Sequence, residues 1–450
     1  MKIFSFLALS FVLFSCSKSN SPVTPVSNND PAQYGTPYTG IPAKKDAIIY
    51  QVNIRAFSSA GNLNGVTARL DSIKALGTNV LYLMPIYPVG TLNGINSPYA
   101  IKDYKAIGTE FGTLADLRVL VDAAHNKNMA VVLDWVANHT AWDNVWISNK
   151  AWYKQDAAGN IVSPAGYNDV AQLNFNNSDM RNAMIEAMRY WVFTANVDGF
   201  RCDFADNVPL DFWKQAITSL KGISTRKLLY FAEGTRSDNF RIGFDLNFGF
   251  AFFGKMEEIY KENKSATGIN DVNRSEFLNV FDESQVVRYT TNHDVNSSDG
   301  TPQELFGGEK GSLAAFVIAA YMKGIPMIYS GQEVGTSYRI PFPFTSKKID
   351  WSVNPGITLE YKKILAFRNN SAAIRGGQLF SYSSDDVVAF TKQQDNEKVW
   401  VMVNLRNKTV EYTLPATVAN TTWSDALNGG SVALTTKVVL QPYSYKVLKN

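Results

Sequence analysis

Residues 197–206 read VDGFRCDFAD. Val, Phe, Cys and Phe suit a buried strand, yet Arg201 and Asp203 stand two apart in its middle. Side chains alternate faces along a strand, so both charges project to the same side. Desolvating a guanidinium and a carboxylate can cost more than their attraction returns, so the pair is a poor device for stability alone. On these ten residues a structural salt bridge at a strand end is the simpler reading. The rest of the chain reverses it.

Similar runs recur from Asp46 onward: AIIYQVNI (47–54), NVLYLMPI (79–86), AVVLDWV (130–136), LLYFAE (228–233), VVRYTT (286–291) and IPMIYS (325–330). Near-continuous apolar strands mark a parallel sheet covered on both faces, and the stretches between them fit crossover helices. In TLADLRVLVDAAHNKN, Thr113 can cap a helix whose Leu114, Leu117, Val121 and Ala124 keep helical spacing. With 197–204 these make seven strands, and GFDLNF (243–248) supplies an eighth, although only eleven positions separate Glu233 from Phe244. The expected fold is α/β, a (β/α)8 TIM barrel over 44–375, with a doubly wound sheet as the alternative on pattern alone. The interval from His139 to a helix near Met180 holds Trp142, Trp146, Trp152 and Tyr153 and predicts a short insertion after strand 3, about 140–178. From Gly376 the pattern alternates apolar and polar residues, as in KVWVMVNLR, which predicts a C-terminal antiparallel β-sandwich domain over 376–450.

The N-terminus has its own logic. MKIFSFLALSFVLFSC opens with Lys2 and runs apolar from Ile3 to Phe14, too short to span a membrane and suited to a secretory signal over 1–15. Its ending, Leu13-Phe14-Ser15-Cys16, resembles a bacterial lipobox, so Cys16 is the expected lipidated first residue of an exported, membrane-anchored lipoprotein at the outer membrane, periplasm or cell surface. A plain signal peptide cleaved nearby is the alternative. Residues 16–43 are rich in Ser, Pro and Asn and are expected to be a flexible linker. Cys16 and Cys202 are the two cysteines, so no disulfide is expected. A formal charge of +3 and the lack of any basic run argue against nucleic acid as a partner. A monomer is expected.

Active sites of parallel barrels lie at the C-terminal ends of the strands. There the third strand offers Asp134, Asn138 and His139, the fourth Arg201 and Asp203, the fifth Glu233 and the seventh His293 and Asp294. Any one of these could be a turn former. Four strands repeating the arrangement, with two of the chain's three histidines among them, point to chemistry.

DWVANH, GFRCDFADN, the Glu of YFAEG, and TTNHD resemble, in order, the four signature regions of the α-amylase family of glycoside hydrolases (family 13). SPYAIKDYKAIGTEFGT and GIPMIYSGQE resemble further segments of that family, and the likeness covers roughly residues 46–335. The resemblance implies retaining cleavage of α-1,4-glucosidic bonds in starch-like polysaccharides or malto-oligosaccharides. Asp203 would be the nucleophile, Glu233 the general acid/base and Asp294 the carboxylate that stabilises the transition state. It makes Arg201 the cation that keeps Asp203 ionised against desolvation, and a neighbouring anion the means of holding the proton on Glu233. Tyr99, His139, Arg201 and His293 would bind substrate, Asp134 would support the site, and His125, at a helix end, is expected to be merely solvated.

No cofactor is required for that chemistry. A structural calcium is implied at Asn138, but Gln172 stands where calcium-binding members place Asp, and Asp206 and Asn207 replace the Lys-His pair that often follows the second region. A metallohydrolase cluster of Asp134, His139, His293 and Asp294 is a further reading, which would leave Arg201 and Glu233 without a task. Two rivals share the fold: a transglycosylase, and a non-catalytic glucan-binding lipoprotein.

Overall fold

The computed structural model describes residues 30–450; the leader over 1–15 and Cys16 lie outside the described residues. Eight parallel strands close a barrel: β1 (Ile49–Val52), β2 (Val80–Leu83), β3 (Ala130–Val136), β4 (Gly199–Asp203), β5 (Leu229–Ala232), β6 (Leu246–Phe248), β7 (Gln285–Arg288) and β8 (Ile325–Tyr329). They follow one another round the barrel in chain order, and β8 returns to β1 with Met327 beside Ile49. Every residue of β3 is buried, because barrel packing covers one face and helices cover the other. The doubly wound alternative is thereby excluded.

The helix expected after Thr113 spans Leu114–His125, and Thr113 caps it reciprocally with Asp116 in a capping box. The cramped passage from β5 to β6 is solved by one short helix, Asp238–Ile242. Gly243 ends it at φ +116°, a left-handed cap that turns the chain directly into β6. After β3 an antiparallel ribbon, His139–Ala141 with Val170–Gln172, forms the base of the insertion and sets His139 opposite Gln172.

Beyond the barrel lie a six-stranded antiparallel sheet and a two-stranded one. Val387, Ala389, Trp400, Met402, Trp423 and Leu440 fill the space between them. Arg406 ties this sandwich to the barrel: its Nε donates to Asp386 and its Nη1 to the Ile259 carbonyl at 2.5 Å.

Two expectations need correction. The flexible-linker reading does not hold for residues 30–43, which are pinned to the barrel. Tyr34 donates its N–H to Phe193 O at 2.7 Å and its hydroxyl to Asp122 at 2.6 Å, and Arg189 Nε donates to Asp30 at 2.6 Å. Nor is His125 solvated. Its Nε2 lies 2.7 Å from Asp198, a residue 1% exposed, and Tyr38 stacks on its ring at 4.2 Å.

Candidate active site

Strand pairing decides which side chains meet. In the β3–β4 register Asp134 lies beside Arg201, and both point into the barrel. Arg201 is completely buried and serves three carboxylates. Its Nη1 donates to Asp134 Oδ1 at 2.7 Å and to Asp203 Oδ1 at 2.8 Å, while Nη2 is in ion-pair contact with Glu233 Oε1. The rings of Tyr82 and Phe248 flank the guanidinium at 5.8 and 5.6 Å. A planar fork can do this where an ammonium cannot. The opening pair is therefore the centre of a four-charge cluster spread over β3, β4 and the end of β5.

Glu233 follows β5 and is held from several directions. Its N–H donates to Cys202 O at 2.9 Å, its carbonyl accepts Ala205 N–H at 3.0 Å, and its Oε2 accepts Phe204 N–H at 2.7 Å. Phe204 stands at φ +49°, ψ +38°, a left-handed conformation that costs a bulky residue on the order of 1–3 kcal/mol. That strain turns its N–H toward Glu233.

The other side of the pocket is a hydrogen-bond relay. Gln51 Nε2 lies 2.8 Å from His293 Nδ1, His293 Nε2 lies 2.7 Å from the Tyr99 hydroxyl, and that hydroxyl donates to Asp134 Oδ2 at 3.1 Å. Tyr82 donates to the same Oδ2 at 2.7 Å. Asp134 is thus bonded at both oxygens, with no face left for substrate. His139 is oriented by the Asn138 amide, 3.2 Å from Nδ1. Burial lowers both His139 and His293 to about 4, so both are neutral at ordinary pH.

The electrostatics of Asp203 differ from the expectation. Burial first, and then the Glu233 charge, push its carboxyl well above the ordinary range, and Arg201 opposes them without prevailing. The guanidinium attracts all three anions, but at Asp203 the repulsion of Glu233 and of Asp134 works against it.

These groups floor a cleft of about 650 Å³, within the range of small-molecule sites. Tyr99, His139, Asp203, Glu233, His293 and Asp294 all line it, so the strand-end residues singled out from the sequence come together. Asp294 is the most open, its side chain 65% exposed. The sequence reading missed the aromatic mouth: Tyr167 and Phe342 lie on separate loops and Phe250 opens the helix Phe250–Lys261, so no local pattern joins them. It also missed Gln51 and Tyr82, whose polar ends in apolar strands were the available signal. A larger cavity of about 1150 Å³ lies at the opposite end of the barrel, against Lys45, Leu229, Gln285, Gly324 and Lys392, and holds none of the strand-end carboxylates. Among the described residues no three His, Cys, Asp or Glu side chains gather as metal ligands, and Asp134 is committed to Arg201 and two tyrosines.

The model of the α-amylase catalytic domain matches residues 27–160 and 146–410. The chain belongs to the α-amylase family. It is an enzyme of the glycoside hydrolase class. It is 28% identical over 443 residues to Alpha-amylase 3 of Dictyoglomus thermophilum, covering 81% of this chain and 85% of that one. It is 25% identical to Neopullulanase 2 of Thermoactinomyces vulgaris over 87% of this chain and 71% of the relative. The crystal structure of an α-amylase from Lactobacillus plantarum superposes with a TM-score of 0.82 at 27% identity, covering 90% of this chain and 99% of that one.

The neutral histidines make a stability prediction. An unfolded His protonates near 6.5, while folded His293 resists protonation down to about 4. Between those values the unfolded chain binds more protons, so stability present above pH 6.5 is lost as pH falls toward 4. His293→Gln should remove on the order of 3 kcal/mol of that pH-dependent loss. Urea unfolding of both proteins at pH 7 and pH 4.5 checks it, and identical losses would mean that His293 titrates normally.

Proposed function

We propose that this family member is a retaining hydrolase of α-1,4-glucosidic bonds in starch-like glucans or malto-oligosaccharides, working by double displacement. One observation carries the reading: a fully buried guanidinium holds Asp203 and Glu233 together beneath an aromatic-rimmed cleft. Asp203 attacks the anomeric carbon as Glu233 gives its proton to the departing glycosidic oxygen, leaving a glycosyl ester on Asp203. Glu233, now ionised, takes a proton from water as that water attacks the same carbon, which releases the sugar and restores both carboxyls. The step needs a proton on Glu233 and an ionised Asp203, which the Arg201–Asp203 hydrogen bond holds in place. Asp294, His139 and His293 hold sugar hydroxyls, and Tyr99 stacks beneath the ring at the cleavage point. A calcium ion at Asn138 would meet a second neutral amide at Gln172, so the reading gives metal no part in the chemistry. The enzyme is exported and held to a membrane through Cys16.

Incubation with a seven-glucose α-1,4 oligosaccharide, followed by product lengths over time, tests the reading. Shorter products are expected, absent with Asp203→Asn. Products longer than the substrate would establish a transglycosylase, and binding without products would leave a glucan-binding protein.

A further inference from the structure

Asp206, one of the two residues that replace the family's Lys-His pair, lines the cleft beside Glu233, yet its carboxylate is already engaged. Oδ2 accepts Thr235 N–H at 2.8 Å, and Oδ1 accepts Arg236 Nε and Asn239 Nδ2, each at 3.0 Å. All three donors belong to the segment that begins immediately after Glu233. Arg236 then reaches back across the gap, donating Nη2 to Ala205 O at 2.9 Å and to Val208 O at 3.3 Å. Asn247, the middle residue of β6, donates to Arg236 O at 3.0 Å and accepts from Asn239 at 3.1 Å. The loop after β4 and the loop after β5 are thus laced together on both sides of Glu233. Gly234 is part of the device: a Cβ there would lie 2.2 Å from Asp206 Oδ1.

We infer that Asp206 is a positioning residue for Glu233: it clasps residues 235–239 to the end of β4 and so aims the acid at the leaving oxygen. The inference rests on the proposed role of Glu233. The mechanical reason is leverage. Glu233 is the last residue before a loop that would otherwise leave the barrel freely, and an error of about 1 Å in an acid's position can cost about 100-fold in rate. Since three donors occupy its carboxylate, Asp206 acts through the loop and not by taking a sugar hydroxyl.

The test separates proton donation from everything else. A malto-oligosaccharide needs a proton on its leaving oxygen, whereas α-maltotriosyl fluoride loses fluoride with little need of one. Asp206→Ala should lower kcat/KM on the oligosaccharide by about 10- to 100-fold and on the fluoride by less than about 3-fold, with the loss carried by kcat and not by KM. Gly234→Ala, which pushes the carboxylate away without removing it, should give the same split. Asp206→Asn retains one acceptor oxygen and should lie between wild type and Asp206→Ala; it decides the matter if the alanine variant does not fold. Equal losses on both substrates, or none on either, would overturn the clasp. Glu233→Gln measured alongside keeps the two claims apart. If it shows no split, the acid assignment itself fails; if it splits and the Asp206 variants do not, only the clasp fails.

Discussion

Asp203→Asn is expected to lower kcat on malto-oligosaccharides by at least about 10⁴-fold, the scale on which a lost nucleophile is felt, with an unchanged or raised Tm. The two halves have one cause. Burial and Glu233 push the Asp203 carboxyl up, so the folded protein binds its proton more tightly than the unfolded chain does. Stability therefore falls as pH rises from about 4, the unfolded value, through the folded one, and is flat above it. Asn carries no such penalty, fits the same volume, and leaves Arg201 with Asp134 and Glu233 as partners. The Tm difference, variant minus wild type, should grow with pH across that window. Substantial residual turnover would remove Asp203 from the nucleophile's role. A variant less stable than the wild type at every pH would show that Arg201 does more for Asp203 than burial takes away.

The barrel was legible because its strands are covered on both faces and read as continuous apolar runs; polar residues ending such runs then stood out without structural help. Arg201 and Asp203 are the clearest case, since the period of two places them on one face whatever the fold. What a strand cannot display is its neighbour's contribution. Asp134 is bonded to Tyr82 and Tyr99 as well as Arg201, and the three come from different elements. For the same reason the electrostatic expectation for Asp203 failed: the sequence shows that a cation is present, not that burial and two neighbouring carboxylates outweigh it. His125 failed differently. Its helix-end position was read correctly, but Asp198 lies 73 residues away and Tyr38 reaches it from a segment whose Ser- and Pro-rich composition hid two anchoring tyrosines. Composition averages over such a segment, whereas packing depends on two side chains in it.

Arg201→Met carries the largest expected loss of stability. The side chain fits an apolar barrel, but it leaves Asp134, Asp203 and Glu233 facing one another with no cation between them. Removing one partner from a buried ionic cluster costs about 3–5 kcal/mol, because the charges left behind remain desolvated. The carboxyls can escape only by taking up protons. Asp134 and Asp203, already pushed up by burial, therefore rise further above the unfolded value, and the folded state binds the more protons at every pH above about 4. The gap from wild type should be widest at pH 7 and should close as pH falls toward 4, where the unfolded chain's carboxylates protonate as well. Adding Asp134→Asn should recover part of the loss, since one fewer anion must be neutralised, and the recovery should exceed the effect of Asp134→Asn in the wild-type background. Arg201→Lys should keep much of the stability yet remain impaired in kcat, because a point charge cannot hold Asp203 by one nitrogen and Glu233 by another. Urea unfolding from pH 4 to pH 8 for the wild type and the four variants gives the answer. A loss independent of pH would mean that Arg201 matters for packing, and that the charges at the strand ends are neutralised by something else.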